Sequence, residues 1–528
     1  MKENRSYPRQ KPSLHRRHLV RVLLFCVALF VYLELFRTHR EGGAPPPPPI
    51  DDSNMGAVDL ARGTVSLPKS ALYEEDSALW GFTGGIESLL EGVVSRKYWG
   101  PAMTTGHDGS LDEWTVTNIS CTRLTSLGVT EHEMKRRYLR HRKVKDVTGC
   151  DVLSVPFNPR RDRRCINFMT NPSNWGELVP ISQSVDQRTI KFGIVFNSIH
   201  DASGEVIEQP LETIVKVPQR LFPLEAVGEV ATFHADRLLL THRVPPTGWA
   251  CLPIRMLETC VSRYKHLVES NAEYLRASGV KTYEEWVKKD LFDYARQNHH
   301  VERAKSGDEC IGVSIQLKIA DVGHFLSSVM RIPYTSHTDT WHGFFDLNRL
   351  IGEDVIGFIR ERNYAGVLHL AILSMFDYFV GNMDRSPNKN NFVVGATNVG
   401  STVKNNFMLH PNHPSFVYLD HGMTFYPQRP RRNPLTSSYA GFMRNETSSF
   451  CLFNGPLLRR IRELIQFTGG PGNETVFAWR MRRHLPGHVY RTVGAEGLRC
   501  CSKRGREMLL MADRCLRNEH IRPYVLFP

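Results

Sequence analysis

The sequence predicts an α+β protein of two lobes, a small β-rich one and then a larger, mostly helical one, standing behind an N-terminal transmembrane helix and a stem. Three observations predict it. An apolar run at residues 22–33 follows a basic tail, short apolar runs separated by polar turns begin near residue 151, and beyond about residue 256 the pattern is mostly helical. At 528 residues, 41% of them hydrophobic, the chain can bury one large core or two packed side by side.

Residues 1–18 form the expected cytoplasmic tail and residues 19–36 the signal anchor. At the rise of an α-helix an anchor of that length spans about 27 Å, enough for a thin early-secretory bilayer. Lys2, Arg5, Arg9, Lys11, Arg16, Arg17 and Arg21 precede its apolar run, whereas only Arg37 and Arg40 closely follow it, so the positive-inside bias leaves the body of the chain lumenal. No small-x-small cleavage site follows Leu33, which argues for an anchor over a cleaved signal peptide. Residues 37–144 are a stem and a region without assignable chemistry; five consecutive prolines, 45–49, hold its start extended.

A lumenal body agrees with the cysteines. Of the eleven, Cys26 lies in the anchor, and the others are an even set in an oxidising compartment, so disulfides are expected with unreadable connectivity. No CxxC pair has zinc spacing, and His410, His413 and His421 do not form a standard zinc pattern. Asn118, Asn445 and Asn473 each open a glycosylation sequon. Much of the net charge of +13 is a topology signal in the tail, so no nucleic-acid partner is expected. Arginine clusters at 429–432, 459–462 and 480–483 read as solvated faces that could also attract an acidic protein or glycosaminoglycan.

The small lobe is placed at 145–255, with strands expected at 190–197 and 211–217, and the large lobe at 256–528. Residues 364–380 (YAGVLHLAILSMFDYFV) read as a buried helix, and GNMDRSPNKNNFVVG comes directly after it. Asp384 falls where that helix gives way to a loop, Asn391 opens a short strand, and a second strand at 416–419 delivers Asp420 in LDHG. Phosphoryl transfer needs such a pair, one carboxylate to orient the acceptor hydroxyl and one to hold a divalent cation. Upstream, Lys216 lies in a β-type run (TIVKV) and Glu229 on a helix whose face also carries Ala226, Phe233 and Arg237. A strand lysine positioned by a helix glutamate is the ion pair kinases place against nucleotide phosphates.

EVATFHADRLLLTHRVPP (229–246) and FDYFVGNMDR (376–385) resemble the secretory-pathway kinases typified by the Golgi casein kinase and Four-jointed, over roughly residues 180–528. The resemblance implies an atypical bilobal, protein-kinase-like fold in a Golgi or endoplasmic reticulum type II membrane protein, which secretion after cleavage would also suit. It implies that Lys216 contacts ATP phosphates, that Glu229 pairs with it or helps bind metal, that Asp384 is the catalytic base and that Asp420 ligates Mn2+ or Mg2+. Asn391 is the second metal ligand in this reading, with Asn388 and Asn390 as alternatives. The implied substrate is Ser or Thr of a secreted protein or a proteoglycan-linker sugar hydroxyl, and a homo- or heterodimer with a related kinase fits the family. A Cys451–Cys515 bridge would match the family's C-terminal clamp.

The chain departs from the pattern in three places. His421 stands where the family has asparagine, residues 396–413 look like an extended hairpin insertion, and no GxGxxG loop is present, which leaves 182–197 as its positional candidate. Two rival functions fit the same sequence: a pseudokinase that activates a partner kinase, and a Golgi glycosyltransferase, although the chain has no Asp-x-Asp.

Overall fold

β-Branched and aromatic residues alternating with polar ones build the first sheet. In β2 (Lys191–Phe196) the side chains of Phe192, Ile194 and Phe196 point into the core while Val195 faces out. A computed structural model of the chain describes residues 142–152, 157–181, 189–207, 211–265, 280, 282–304, 307–319, 323–324, 364–385, 394–395, 416–444, 450–469 and 474–527. The chain divides into Met1–Ser66 and Leu67–Pro528, and every described residue belongs to the second unit. The anchor at 19–36, most of the stem, the sequon residues Asn118, Asn445 and Asn473, Asn391, the insertion at 396–413, and His410 and His413 lie outside the described residues. Among the described residues no helix is long and apolar enough to cross a membrane.

Helix α1 (Pro159–Thr170) starts where Asn158 Oδ1 accepts the Arg160 amide at 3.0 Å and Pro159 supplies a helical φ. The sheet then assembles from β1 (Trp175–Pro180), β2, β3 (Thr213–Lys216), β4 (Thr247–Pro253), β5 (Val301–Arg303) and β6 (Glu309–Leu317). Its order is β1-β2-β3-β6-β4, with β5 paired to β6 and every pairing antiparallel. Between β3 and β4 runs α2 (Glu225–Leu239), which ends on Leu240 in the left-handed region. Helix α3 (Ile254–Tyr264) packs on β1 and β4, and α4 (Tyr283–Val287) passes through a π-helical turn at Lys288–Asp293 into α5 (Tyr294–Gln297).

Both small-lobe strands expected from the sequence are present, at 191–196 and 213–216. The expectation of a mostly helical chain after residue 256 is corrected: β6 lies in the middle of the sheet, between β3 and β4, so the strand-bearing part continues to Leu317. Its sequence, ECIGVSIQL, lacks two-residue alternation because both faces are covered, and from Cys310 to Leu317 every residue is buried. Cys310 on β6 is bonded to Cys251 on the adjacent β4.

A three-stranded ladder joins β7 (Gly323–His324), β8 (Val394–Gly395) and β9 (Phe416–Val417), with α6 (Tyr364–Val380) between β7 and β8 in sequence. The helical part continues with α7 (Pro434–Met443), β10 (Phe453–Asn454), α8 (Gly455–Leu464), α9 (Val476–His484), α10 (Gly487–Arg517), α11 (Arg522–Val525) and β11 (Leu526–Phe527), which pairs in parallel with β10. Helix α6 has the bounds read from its apolar run, and Phe376, Tyr378 and Phe379 on it are fully buried. Burying each such ring contributes roughly 2–3 kcal/mol.

Two cores result. One lies among the sheet, α1 and α3 to α5; the other gathers α6 to α11 around the buried face of α2. Helix α2 thus touches the sheet through β3, β4 and β6 and the helical core through α10, α9, α8 and α6. Disulfides fasten both parts: Cys150–Cys165 holds the chain before α1 to that helix, and Cys451–Cys515 holds the approach to β10 against α10, the pairing the resemblance implied.

Candidate active site

The site forms where β3, α2 and the loop after β9 converge. Lys216, the last residue of β3, is 4% exposed. Its Nζ donates to Glu229 Oε1 at 2.5 Å and to Asp420 Oδ1 at 2.7 Å, and lies 3.4 Å from Glu225 Oε1. Burial by itself would depress the ammonium; the Asp420, Glu229 and Glu225 carboxylates outweigh it and hold Lys216 well above its ordinary pKa. Burial likewise opposes ionisation of Asp420, and Lys216, Lys191 and Arg385 overcome it, so its carboxyl titrates far below the usual range. Both shifts leave the pair ionised at neutral pH.

Glu229 is held on both oxygens. Besides Lys216, Oε1 accepts the His421 backbone amide at 2.8 Å, and Oε2 accepts Gln316 Nε2 of β6 at 3.3 Å. One turn earlier on α2, Glu225 accepts Gln219 Nε2 at 2.6 Å, while Gln219 Oε1 accepts the Ile190 amide at 2.8 Å. Burial dominates the Glu225 carboxyl and raises its pKa. Lys191, opposite Lys216 across the β2–β3 pairing, adds positive charge felt by both Glu225 and Asp420.

Close approach of α2 to the Asp420 loop depends on a glycine. A Cβ on Gly228 would lie 2.6 Å from the His421 carbonyl oxygen. Thr424 Oγ1 donates to that carbonyl at 2.8 Å and meets Thr232 Oγ1 of α2 at 2.9 Å. Asp420 itself has φ 62°, a left-handed conformation that costs an aspartate about 1 kcal/mol and is sustained by these surrounding contacts.

Asp384 joins the group through its neighbours. Its amide donates to Asn382 Oδ1 at 3.2 Å, and Asn382 Nδ2 donates to Asp377 Oδ1 at 3.1 Å. Arg385 grips buried Asp377 from Nε at 2.7 Å and donates from Nη1 to the Leu419 carbonyl at 2.8 Å; the Met383 amide donates to the Met423 carbonyl at 2.8 Å. The loop carrying Asp384 is thereby fastened to the loop carrying Asp420 on both sides of each carboxylate.

His421 is fully buried. Arg385 Nη2 approaches its Nδ1 at 3.4 Å, which assigns the ring proton to Nε2, and Nε2 has no hydrogen-bond partner among the described residues. Burial first, and Arg385 second, push its pKa from 6.5 down to about 3, so the ring is neutral.

The structure therefore brings Lys216, Glu229 and Asp420 into direct contact and ties Asp384 to them through backbone bonds. Sequence reasoning missed Glu225, Gln219, Gln316, Asp377 and Arg385. Two had a readable signal: Glu225 lies four residues before Glu229 on one helix face, and Arg385 directly follows Asp384. The glutamines had none, since their partners are distant in sequence.

No family profile and no curated protein matches the chain. Solved structures do resemble it. A hydra Fam20 with sugar aligns at 13% identity over 72% of this chain and 97% of its own, with a TM-score of 0.41. The Golgi casein kinase aligns at 12% identity over 74% of this chain and 91% of its own, with a TM-score of 0.42; its form with Mn and ADP bound aligns at 13% identity over 71% and 81%, with a TM-score of 0.39. At such identities the roles of Lys216, Glu229, Asp384 and Asp420 stand on this chain's own geometry.

Proposed function

We propose that the chain is a lumenal kinase that transfers the γ-phosphate of ATP to an alcohol group, Ser or Thr of a secretory-pathway protein or a glycan hydroxyl. The observation that carries the reading is the Lys216 amine of a strand held at once by Glu229 of the next helix and by Asp420 of a loop 204 residues away. Kinases use this arrangement to place phosphates against a cation. The basic tail and apolar run at 19–36 support a type II anchor in Golgi or endoplasmic reticulum membrane. A homo- or heterodimer with a related kinase is part of the same reading.

The donor set fits Mn2+ or Mg2+. Asp420 and Glu229 offer hard carboxylate oxygens, and among the described residues no three acidic, histidine or cysteine side chains gather tightly enough to hold a metal by themselves. A cation bound through one or two carboxylates and completed by substrate phosphates and water suits that scarcity. When bound, the cation would neutralise phosphate charge.

The protein's own groups do the rest. Lys216 would turn its amine to phosphate oxygens, Glu229 would keep that amine aimed through its His421 and Gln316 bonds, and Asp384 would accept the proton of the attacking hydroxyl. Arg385 and Asn382 hold the Asp384 loop in register for that acceptance.

The test is label transfer from γ-labelled ATP with Mn2+ to casein and to a proteoglycan-linker sugar. Transfer to casein assigns a protein substrate, and transfer to the sugar a glycan one. Failure to label either, with ATP still bound, would contradict the kinase reading and favour a pseudokinase partner.

A further inference from the structure

Arg504, on α10, is among the largest fully buried side chains of the protein, yet among the described residues it meets no carboxylate. Its guanidinium is spent on backbone. Nε donates to the Phe379 carbonyl at 3.1 Å, and Nη1 donates to the carbonyls of Tyr426 at 3.0 Å and Gln428 at 3.5 Å. Nη2 lies 3.4 Å from Cys501 Sγ. Phe379 lies at the end of the helix that delivers Asp384, and Tyr426 and Gln428 belong to the segment that leaves Asp420. The last carbonyls of a helix lack intrahelical partners and carry partial negative charge, which a buried cation satisfies.

The local sequence is fitted to this cation. Gly381 has φ 70°, and a Cβ there would lie 2.5 Å from Arg504 Nη2. One turn along α10, Glu507 repeats the bridge with side chains: it accepts the Tyr378 hydroxyl of α6 at 2.7 Å and pairs with Arg429. Between the two bridges, the Phe425 amide donates to the Val380 carbonyl at 2.8 Å. A helix with no residue in the site thus holds both catalytic segments at one place.

We infer that Arg504 is a positioning residue for phosphoryl transfer, setting the separation of the Asp384 and Asp420 segments, with Glu507 as its second point of grip. The inference rests on the kinase reading for its catalytic consequence and on geometry alone for its structural one. A displaced catalytic base lowers turnover, whereas nucleotide binding is preserved because Asp420 stays tied to Lys216 at 2.7 Å and its neighbour His421 to Glu229 at 2.8 Å, so the displacement falls on the Asp384 segment.

The experiment compares the full chain with Arg504→Lys, which keeps charge without the planar fork, and Arg504→Met, which keeps length without charge. In Arg504→Lys we expect kcat to fall at least about tenfold while KM for ATP stays within about threefold. Amide hydrogen exchange at Met383 and Phe425 should quicken while exchange along β6 stays as in the wild type. Arg504→Met should be worse on both readouts, and if it does not fold, Arg504→Lys alone decides. Unchanged exchange at Met383 and Phe425 in a folded variant would overturn the inference, as would quickened exchange with undiminished turnover. Failure of the wild type itself to transfer phosphate would sink the kinase reading instead, and the exchange measurement would still decide whether Arg504 sets the two segments.

Discussion

Gly228→Ala reverses an ordinary rule. At an exposed helix interior, replacing glycine by alanine stabilises by roughly 1 kcal/mol, because alanine loses less backbone freedom on folding. At position 228 the new Cβ would sit 2.6 Å from the His421 carbonyl oxygen and 3.3 Å from the Gly422 carbonyl carbon, where ordinary contact begins at 3.4 Å. Both atoms are backbone, so relief requires α2 or the Asp420 loop to move by roughly 0.8 Å, the shortfall from ordinary contact. Overpacking of this kind costs about 1–3 kcal/mol, more than the helical gain. The same movement would stretch the bond from the His421 amide to Glu229 Oε1, now 2.8 Å, and with it the Lys216–Asp420 contact. A misplacement near 1 Å at a reacting centre lowers turnover by about a hundredfold. Thermal denaturation and steady-state ATP turnover of the purified variant would both fall. A higher melting temperature with unchanged kcat/KM would refute the close approach of α2 to the Asp420 loop.

Asp420→Ala should abolish Mn2+-dependent ATP binding, and Asp384→Ala should preserve binding while removing turnover; equal ATP affinity in wild type and Asp420→Ala, by calorimetry, would contradict the ligand role. Removing the Cys451–Cys515 bridge, which closes a sequence separation of 64 residues, should lower stability by about 4 kcal/mol on a loop-entropy basis, seen as an earlier urea midpoint in Cys515→Ala. His421, neutral in the fold with its pKa pushed from 6.5 to about 3, makes stability fully present above pH 6.5 and progressively lost as pH falls, because the unfolded chain takes up a proton that the folded chain refuses. His421's share of the loss between pH 6.5 and 5 should be about 2 kcal/mol, read in urea titrations as the gap between wild type and His421→Asn, because His234, depressed likewise to about 3, contributes to both proteins.

The site's charged centre was legible because each element carried a local signature. The apolar run 364–380 announced α6 with its observed bounds, TIVKV announced the strand bearing Lys216, and strand-then-LDHG placed Asp420. β6 was hidden because a strand covered on both faces shows no alternation. Gln316 and Gln219 were unreadable because a lone glutamine acquires a role only when tertiary packing brings Glu229 or Glu225 to it. Arg504 was hidden likewise: one arginine in an arginine-rich helix looks solvated until its carbonyl partners, 76 to 125 residues away, close around it.

If Lys216, Glu229, Asp420 and Asp384 form one phosphotransfer centre, removing the base must stop transfer without emptying the nucleotide site. A single-turnover assay of the purified chain with γ-labelled ATP, Mn2+ and the better of the two acceptors, beside Asp384→Ala at matched nucleotide occupancy, measures this. Label should reach the acceptor with the wild type and stay at background with Asp384→Ala; equal transfer by the two proteins would contradict the shared centre.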